Sequence, residues 1–533
     1  ATYTEDLTGV TIAGGGGASG GGAGSATASN LGSETTAVIS KGAKINSLTG
    51  ETPGSTQSVK VLAAALTRIS EGAGSLAVGG TAGVGAGINA AVMNKVTLAS
   101  IDDGTSATDR TEITANGDIS VEAYSRENIV AIATTVAFSP SGVSVAGSIS
   151  VLNISISTRA ILGNFTLATA RGNVTVGADD STNIGVVSAA FSGLGLGVAV
   201  TDKTTEALIG SSAVVNAKAN TNYTSVPNGN FVTSISDPLI RSVRTSDDTI
   251  EVNSAEDMRL GDPVVYRTTG DAIGGLTKDA TYYAIPVSGS TNRIQLATSI
   301  EDARSGNQVN LTSSGTGIQK VQPLGKSEPA ISQNGYSEAG LTSKRKAVPD
   351  VSSVRGVSVT AVNADCVEQL AVTLSAASGG GVALSGGAAA SSITTRAAIG
   401  DSAKINQDRT GTIDSRQGVH VAAGSDFYHI GVAGAAGIGV SVGGGGAGVQ
   451  VAKVKHVTEA KVGSSALVTA SGDVNVLART ADRIVGVAIG IGIGGLVGIG
   501  GSVAVNSFDN TTTASIGASS TVYANGTCLL YTS

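Results

Sequence analysis

Between Ile484 and Val505 the chain alternates bulky and small residues almost without a break. Val485, Val487, Ile489, Ile491 and Ile493 are interleaved with Gly486, Ala488, Gly490, Gly492 and Gly494. A second arm sets Val497, Ile499, Val503 and Val505 against Gly498, Gly500, Ser502 and Ala504. The stretch has no charge after Arg483, so a hydropathy window would read it as a membrane helix. On a helix, however, the Ile and Val would point all round, and each glycine would cost about 1 kcal/mol relative to Ala. On a strand they form one bulky face and one small face, and the alternation predicts strand, turn, strand. The same grammar runs through Val130, Ile132, Thr134, Val136 and Phe138, turns at Ser139-Pro140-Ser141-Gly142, and resumes at Val143, Val145, Ile149 and Val151. It returns at Ile430–Val442 and, shortened, at 184–200. No segment sustains a 3.6-residue period. The bulky face is expected to supply a core, and the Gly/Ala/Ser face to admit a second sheet at close range.

These arms belong to a repeat. One anchor, Thr-x-Ala-x-Ile/Val or Leu, starts at Thr35, Thr97, Thr158, Thr205, Thr395, Thr458 and Thr512. A second, a turn Gly followed by a short alternating strand, reads Gly117-Asp118-Ile119-Ser120-Val121, Gly172-Asn173-Val174-Thr175-Val176 and Gly472-Asp473-Val474-Asn475-Val476. Shorter versions start at Gly356 and Gly418, and Ser58-Val59-Lys60-Val61 is degenerate. Successive Thr anchors are separated by 62, 61, 47, 190, 63 and 54 residues. The unit is therefore about 55–60 residues, and the long step holds an insertion. Such units cannot bury their faces alone and must stack. The expected fold is all-β, an elongated β-solenoid (β-helix) with coils about 4.8 Å apart and strands paired above and below. A transmembrane β-barrel would also suit strands of about ten alternating residues. It needs aromatic girdles, and aromatics here are 3% of the chain.

The chain divides on this reading into solenoid repeats at 1–220, an inserted module at 221–330, a linker at 331–355 and further repeats at 356–527. The insertion holds Tyr223, Tyr266, Tyr282 and Tyr283 and most of the Pro, with Tyr336 nearby. Asp248–Val252, Gly261–Tyr266, Tyr282–Ile285 and Arg293–Ala297 read as a β meander, and Ser299-Ile300-Glu301-Asp302 as a capping box opening one helical turn. Exposed modules on a repeat scaffold are where recognition usually sits. Tyr266, Tyr282, Tyr283 and Arg293 are the candidate ligand contacts; a plain spacer is the competing reading.

Composition narrows the function classes. Gly is 75 of 533 residues and charged residues are 14%, against roughly 25% in ordinary domains. Mean hydropathy is positive, at +0.22, which excludes a disordered Gly/Ser linker. A net charge of −7 spread over the chain excludes a nucleic-acid face and a polybasic membrane patch. The chain opens at Ala1 without a leader, and its closing hexapeptide, Cys528–Ser533, reads as the translation of a sequencing-library adapter. The termini are thus expected to be missing, with any membrane contact made through those missing parts. Gly526 stands one unit after Gly472, so the repeat is expected to continue. Cys366 then remains as a single thiol, which builds neither a disulfide framework nor a metal knuckle.

Candidate chemistry is thin. His420, His429 and His456 lack ligand spacing and are expected on the surface or in turns. Asp102-Asp103, Asp179-Asp180 and Asp247-Asp248 are expected in polar turns, where Asp bonds backbone. Calcium in such turns is conceivable but unsupported, so no cofactor, metal or catalytic residue is assigned. The glycine tract at 14–24 lacks the Lys-Ser/Thr of a phosphate loop and reads as the small-residue arm of a first unit.

The Gly-x-Val-x-Val and Thr-x-Ala-x-Ile-Gly units resemble the repeats of giant exported bacterial adhesins of the filamentous-haemagglutinin and leukotoxin-like kind. The insertion, with Gly-Asp-x-Val-Val-Tyr, Thr-Tyr-Tyr-x-Ile and Ile-x-Leu-Ala-x-Ser, looks like a β module interspersed in such repeats. The resemblance implies secretion to the extracellular space or cell surface and a β-helical stalk. It also implies adhesion to host or neighbouring-cell surface molecules or glycans, through a tip or the module. The expected protein is a non-enzymatic stalk segment; the alternatives are a β-helical polysaccharide-degrading enzyme and an outer-membrane barrel.

Overall fold

The computed structural model describes residues 1–47, 54, 56–234, 239–252, 263–287, 290, 292–323 and 346–532. They are almost wholly strand, with one short helix at Ile300–Ser305. Three parallel sheets of eight, seven and seven strands run through the array, and the chain visits them in turn. It climbs one long strand of the first sheet, such as Ile119–Phe138, and turns back along the second, Val143–Leu162. A short strand of the third, Thr166–Ala170, follows, and the chain re-enters the first sheet at Val174, beside Ile119.

The repeat fixes the register. Thr35, Thr97, Thr158, Thr205, Thr395, Thr458 and Thr512 occupy one ladder of the second sheet, each the direct partner of the next. Their Ala and Ile/Val/Leu followers form the adjoining ladders. On the first sheet Val59, Ile119, Val174, Val357, Val419 and Val474 align in the same way. The inward members of these ladders, Val121, Ile101 and Ala160 among them, join Ile113 and its neighbours on the third sheet in one continuous core at the root, where all three sheets meet. Each buried Val or Ile there contributes about 1.5–3 kcal/mol.

Beyond the root the first and second sheets continue face to face as a two-layered blade that ends in tight hairpin turns. Here the packing reverses the expectation. The sequence reading treats the Gly-x-Val-x-Val strand and the apolar arm as separate elements, but they form one unbroken strand, Val474–Gly494. Side chains alternate strictly along it, so Val474 and Val476, which face the core, put Gly486, Ala488 and Gly490 inside and Val487, Ile489 and Ile491 outside. Large inward-facing residues therefore supply a core only at the root and just beyond it, through Ile129, Ile154 and Ile184, while the bulky face of each arm points outward. Farther out the small face is the interior. A Cβ on Gly490 would stand 1.9 Å from the carbonyl oxygen of Gly501 on the opposite sheet, so only glycine permits that approach.

The insertion leaves and rejoins the array through two antiparallel strands, Thr224–Ser234 and Lys346–Val354, lying on the outer face of the first sheet, where Gly229 meets Gly424. Residues 346–354, expected as linker, are thus a paired strand; 331–345 lie outside the described residues. Between the two strands a six-stranded antiparallel sheet, with the Ile300–Ser305 helix, encloses its own core of Ile250, Val264, Tyr266, Leu296 and Val321. Ser299 caps the helix, accepting from the Asp302 N–H at 3.0 Å. Gly261 and Asp262 of the expected meander lie outside the described residues. The strand Gly356–Ala377 pairs directly with Val174–Phe191, so the array closes across the insertion without a break. The closing residues Cys528–Thr532 pair in register with Val474–Ala478.

Candidate functional surface

Where the root gives way to the blade, charged side chains are trapped between the two sheets. Lys95 Nζ lies 2.8 Å from Glu127 Oε1, both side chains fully buried. Two rungs along, Lys203 Nζ stands 2.6 Å from Asp180 Oδ1 and 2.5 Å from Asp365 Oδ1. Thr158 donates to Asp180, Thr182 donates to Glu127 and accepts from Lys203, and Asn363 donates to Asp365. Three carboxylates face two ammonium groups. Burial, only partly offset by Lys203 and reinforced by Glu127 and Asp365, pushes the Asp180 carboxyl up to about 6. Burial also opposes ionisation of Glu127, but Lys95 and Lys203 outweigh it and hold its carboxyl below the usual range. The carboxylates around Lys203 likewise raise its ammonium above the ordinary value against its own burial. Every one of these groups is engaged by a neighbour, and the cluster is closed to solvent. It fixes the two sheets against each other and has no access for a substrate.

The blade is the opposite case, open and without charge. Uncharged tracts run from 7 to 33, 72 to 94, 128 to 158, 181 to 201, 369 to 395, 430 to 452 and 484 to 508, and each tract forms one hairpin. On the first-sheet face Val130, Ile132, Val136 and Phe138 stand beside Val187 and Phe191, then Val372 and Leu374. On the second-sheet face Ile88, Ile149 and Leu196 form one ladder, with Val449 and Val503 two and three coils on. Of these, Val136, Val372, Leu374 and Val449 are exposed in mid-stack, Val136 by 42% against 0% for Ile129 in the rung below. Val130, Val187, Phe191, Ile149 and Leu196 are half-buried between neighbouring strands. The turns add Val440, Val442 and Leu496, the last 78% exposed. Ten residues by seven strands make each face about 33 Å by 30 Å, on the order of 1,000 Å². That is well beyond the largest apolar patch of a typical monomer, roughly 300–600 Å². One hairpin is shorter than its neighbours, turning at Ser192 and Gly193 (φ 74° and 153°), and leaves a notch lined by Val143, Val145, Leu194, Val382 and Leu384.

The residues singled out in the sequence fall elsewhere. All three histidines are buried, not on the surface or in turns. His420 does face outward from its strand, but the insertion's lead-in strand covers it, and its Nε2 lies 3.2 Å from the Pro227 carbonyl. His429 is within a strand, facing inward, with Nδ1 3.1 Å from the Val367 carbonyl. Burial lowers both imidazoles to about 4. His456 sets Nδ1 2.7 Å from Asp482 and its ring edge-on to Phe427. Among the described residues no group of three His, Cys, Asp or Glu is placed to hold a metal ion. Asp247-Asp248 does sit in a turn, and Asp102-Asp103 lies in an irregular connection between strands, Asp103 accepting from the Asn164 N–H at 2.7 Å. Asp179-Asp180 does not: the pair lies in mid-strand, Asp180 facing Lys203 and Asp179 facing outward, 3.1 Å from Arg126.

Of the four candidate contacts in the module, Tyr266 and Tyr282 are core residues. Their hydroxyls accept from the N–H groups of Ile273 and Thr277, each at 2.8 Å. Tyr283 and Arg293 share the opposite, half-buried face of the module sheet, where Arg293 pairs with Glu251 at 3.2 Å. The blade surface is not anticipated by the sequence reading. Its signal is the recurrence of an uncharged tract in every unit, where that reading weighs only 484–505 for its lack of charge. No helix among the described residues is long and apolar enough to cross a membrane. No family model, curated protein or solved structure matches the chain.

Proposed function

We propose that the chain is a length of β-solenoid serving as a structural, adhesive stalk segment of a large exported bacterial surface protein. The observation that carries the reading is the single ladder of seven anchor threonines, which makes every unit interchangeable with its neighbours and lets the array extend by adding units. The three sheets are visited in one fixed order, as successive solenoid coils require. Buried polar groups are spent on holding sheets together, which favours a scaffold over an enzyme. The inserted module stands as the contact element, with Tyr283 and Arg293 on its outer face. The test compares immobilised full chain with a chain lacking residues 225–353 for capture of labelled host or bacterial cells. Capture by the full chain alone supports an adhesive module. Capture by neither sinks the adhesive role and leaves the scaffold.

A further inference from the structure

We infer that the blade inserts edge-first into the hydrocarbon interior of a lipid bilayer, with the root and the inserted module remaining outside. This departs from the expectation that membrane contact belongs to missing terminal parts, and it is independent of whether the module binds a receptor.

Four observations point to acyl chains as the occupant. The apolar surface covers both outer faces and the turns that join them, so Val382, Val136 and Leu496 are exposed in three different directions. A second copy docked on one face would leave the other face and the edge in water, whereas a bilayer covers all three at once. The length also fits, since about ten residues of strand span about 33 Å and a bilayer's hydrocarbon core is about 30 Å thick.

The charges stop at a common level on both faces. On the first sheet Arg68 and Arg483 share one ladder at the base of the blade, with Glu368 two and Glu71 three positions farther on and nothing charged beyond them. On the second sheet Asp202, Lys455 and Asp509 share one ladder, and Lys453 lies one outward position nearer the edge. The buried Lys95, Glu127 and Lys203 lie at the same height between the sheets. Lysine and arginine at such a boundary can extend their ammonium or guanidinium groups into the headgroups.

Finally, hydrocarbon offers no partner to a backbone N–H or C=O, so an inserted segment must satisfy them internally. Inside the stack the parallel ladders do this, pairing Ala433–Gly439 with Ala371–Ala377 on one side and Ala488–Gly494 on the other. The outermost strands, Thr2–Gly17 and Gly20–Ile39 at one end and Val474–Gly494 beyond Ala478 and Val497–Ile516 at the other, each keep one unpaired edge. The turns are laddered too: Val440, Ser441 and Val442 donate to the carbonyls of Ala377, Ser378 and Gly379 in the preceding coil at 3.0–3.1 Å.

The chain contains no Trp, so Val440→Trp gives a single indole fluorophore at the edge. Uncharged phosphatidylcholine vesicles are the probe, with bromine on the acyl chains in a parallel sample. The expected result is co-flotation of the full chain with the vesicles, a blue shift of the indole emission and quenching by the brominated chains. Val440→Lys with Leu496→Lys should abolish flotation while the strand signature in circular dichroism is unchanged, since both positions are solvent-exposed turns. Failure to float overturns the inference. So does flotation without acyl-chain quenching, which would mean adsorption at the headgroups. Protection of the fluorophore by concentration-dependent self-association, without vesicle binding, would assign the blade to a second copy instead.

Discussion

Lys203 and Asp365 are 162 residues apart in the sequence, yet Nζ and Oδ1 lie 2.5 Å apart between the two sheets, on the coils that flank the insertion. The pair shows that the array is continuous across the module, because each partner is delivered by a strand whose register was set at the anchors. Removing the ammonium would leave Asp180, Asp365 and Glu127 buried together. Lys203→Met is therefore expected to lower stability by about 3–5 kcal/mol, read as a shift of the denaturation midpoint. An unchanged midpoint would mean that the cluster is hydrated.

The same continuity predicts that the module is dispensable for folding. Thr224 and Val354 are direct partners at its base, so a short Gly turn can join them. Replacing residues 225–353 in this way should preserve the strand signature and cooperative unfolding. Loss of cooperativity would show that the insertion holds the two halves together.

Gly490 tests the blade interior. Its pro-side-chain direction meets the Gly501 carbonyl oxygen at 1.9 Å, whereas nothing lies within 4 Å at Gly434, which faces outward. Gly490→Ala should destabilise by about 1–3 kcal/mol through forced separation of the sheets. Gly434→Ala should be neutral or mildly stabilising, because it restricts the unfolded chain. Equal unfolding midpoints for the two variants would contradict the close packing.

Stability should fall as pH drops from 6.5 to 4. His420 and His429 are held at about 4, against 6.5 unperturbed, so the unfolded state binds protons there that the fold refuses. Each contributes up to about 3 kcal/mol of loss across that window. Asp180 acts in the opposite sense. Its carboxyl is raised from 3.8 to about 6, so the folded state gains a proton first, and acid relieves part of its burial cost between 6 and 4. Asp180→Asn should therefore steepen the acid loss, and His429→Gln should flatten it. Thermal midpoints measured at half-unit steps from pH 4 to 7 would check both signs.

In the module, Tyr266→Phe would leave the Ile273 N–H without the hydroxyl it donates to. A cost of about 1–3 kcal/mol, confined to the insertion, is expected as faster proteolysis between 240 and 323 with the array unaffected. Equal cleavage rates would place that N–H in water.

Much of this was legible in the chain. Alternation identified the strands, including 484–505, where hydropathy alone would have read a helix. The Thr-x-Ala-x-Ile and Gly-x-Val-x-Val anchors determined the repeat, the position of the insertion and, through identical spacing, which residues would lie on the same face. Even the orientation of the blade was implicit, since Val476 and Val487 are an odd number of positions apart and must face opposite sides of one strand. It was lost by ending the strand at the anchor.

What tertiary structure alone decided is what lies across from each face. A period of two marks two faces but not which is inside, and that choice rests on the opposing sheet, whose carbonyls approach Gly490 too closely for any side chain. The burial of His420 depends on a lead-in strand some 190 residues earlier, and the state of Asp180 on a lysine from the next strand and an aspartate beyond the insertion. Local pattern carries no information about such encounters, because they arise only when the stacked register brings distant residues together.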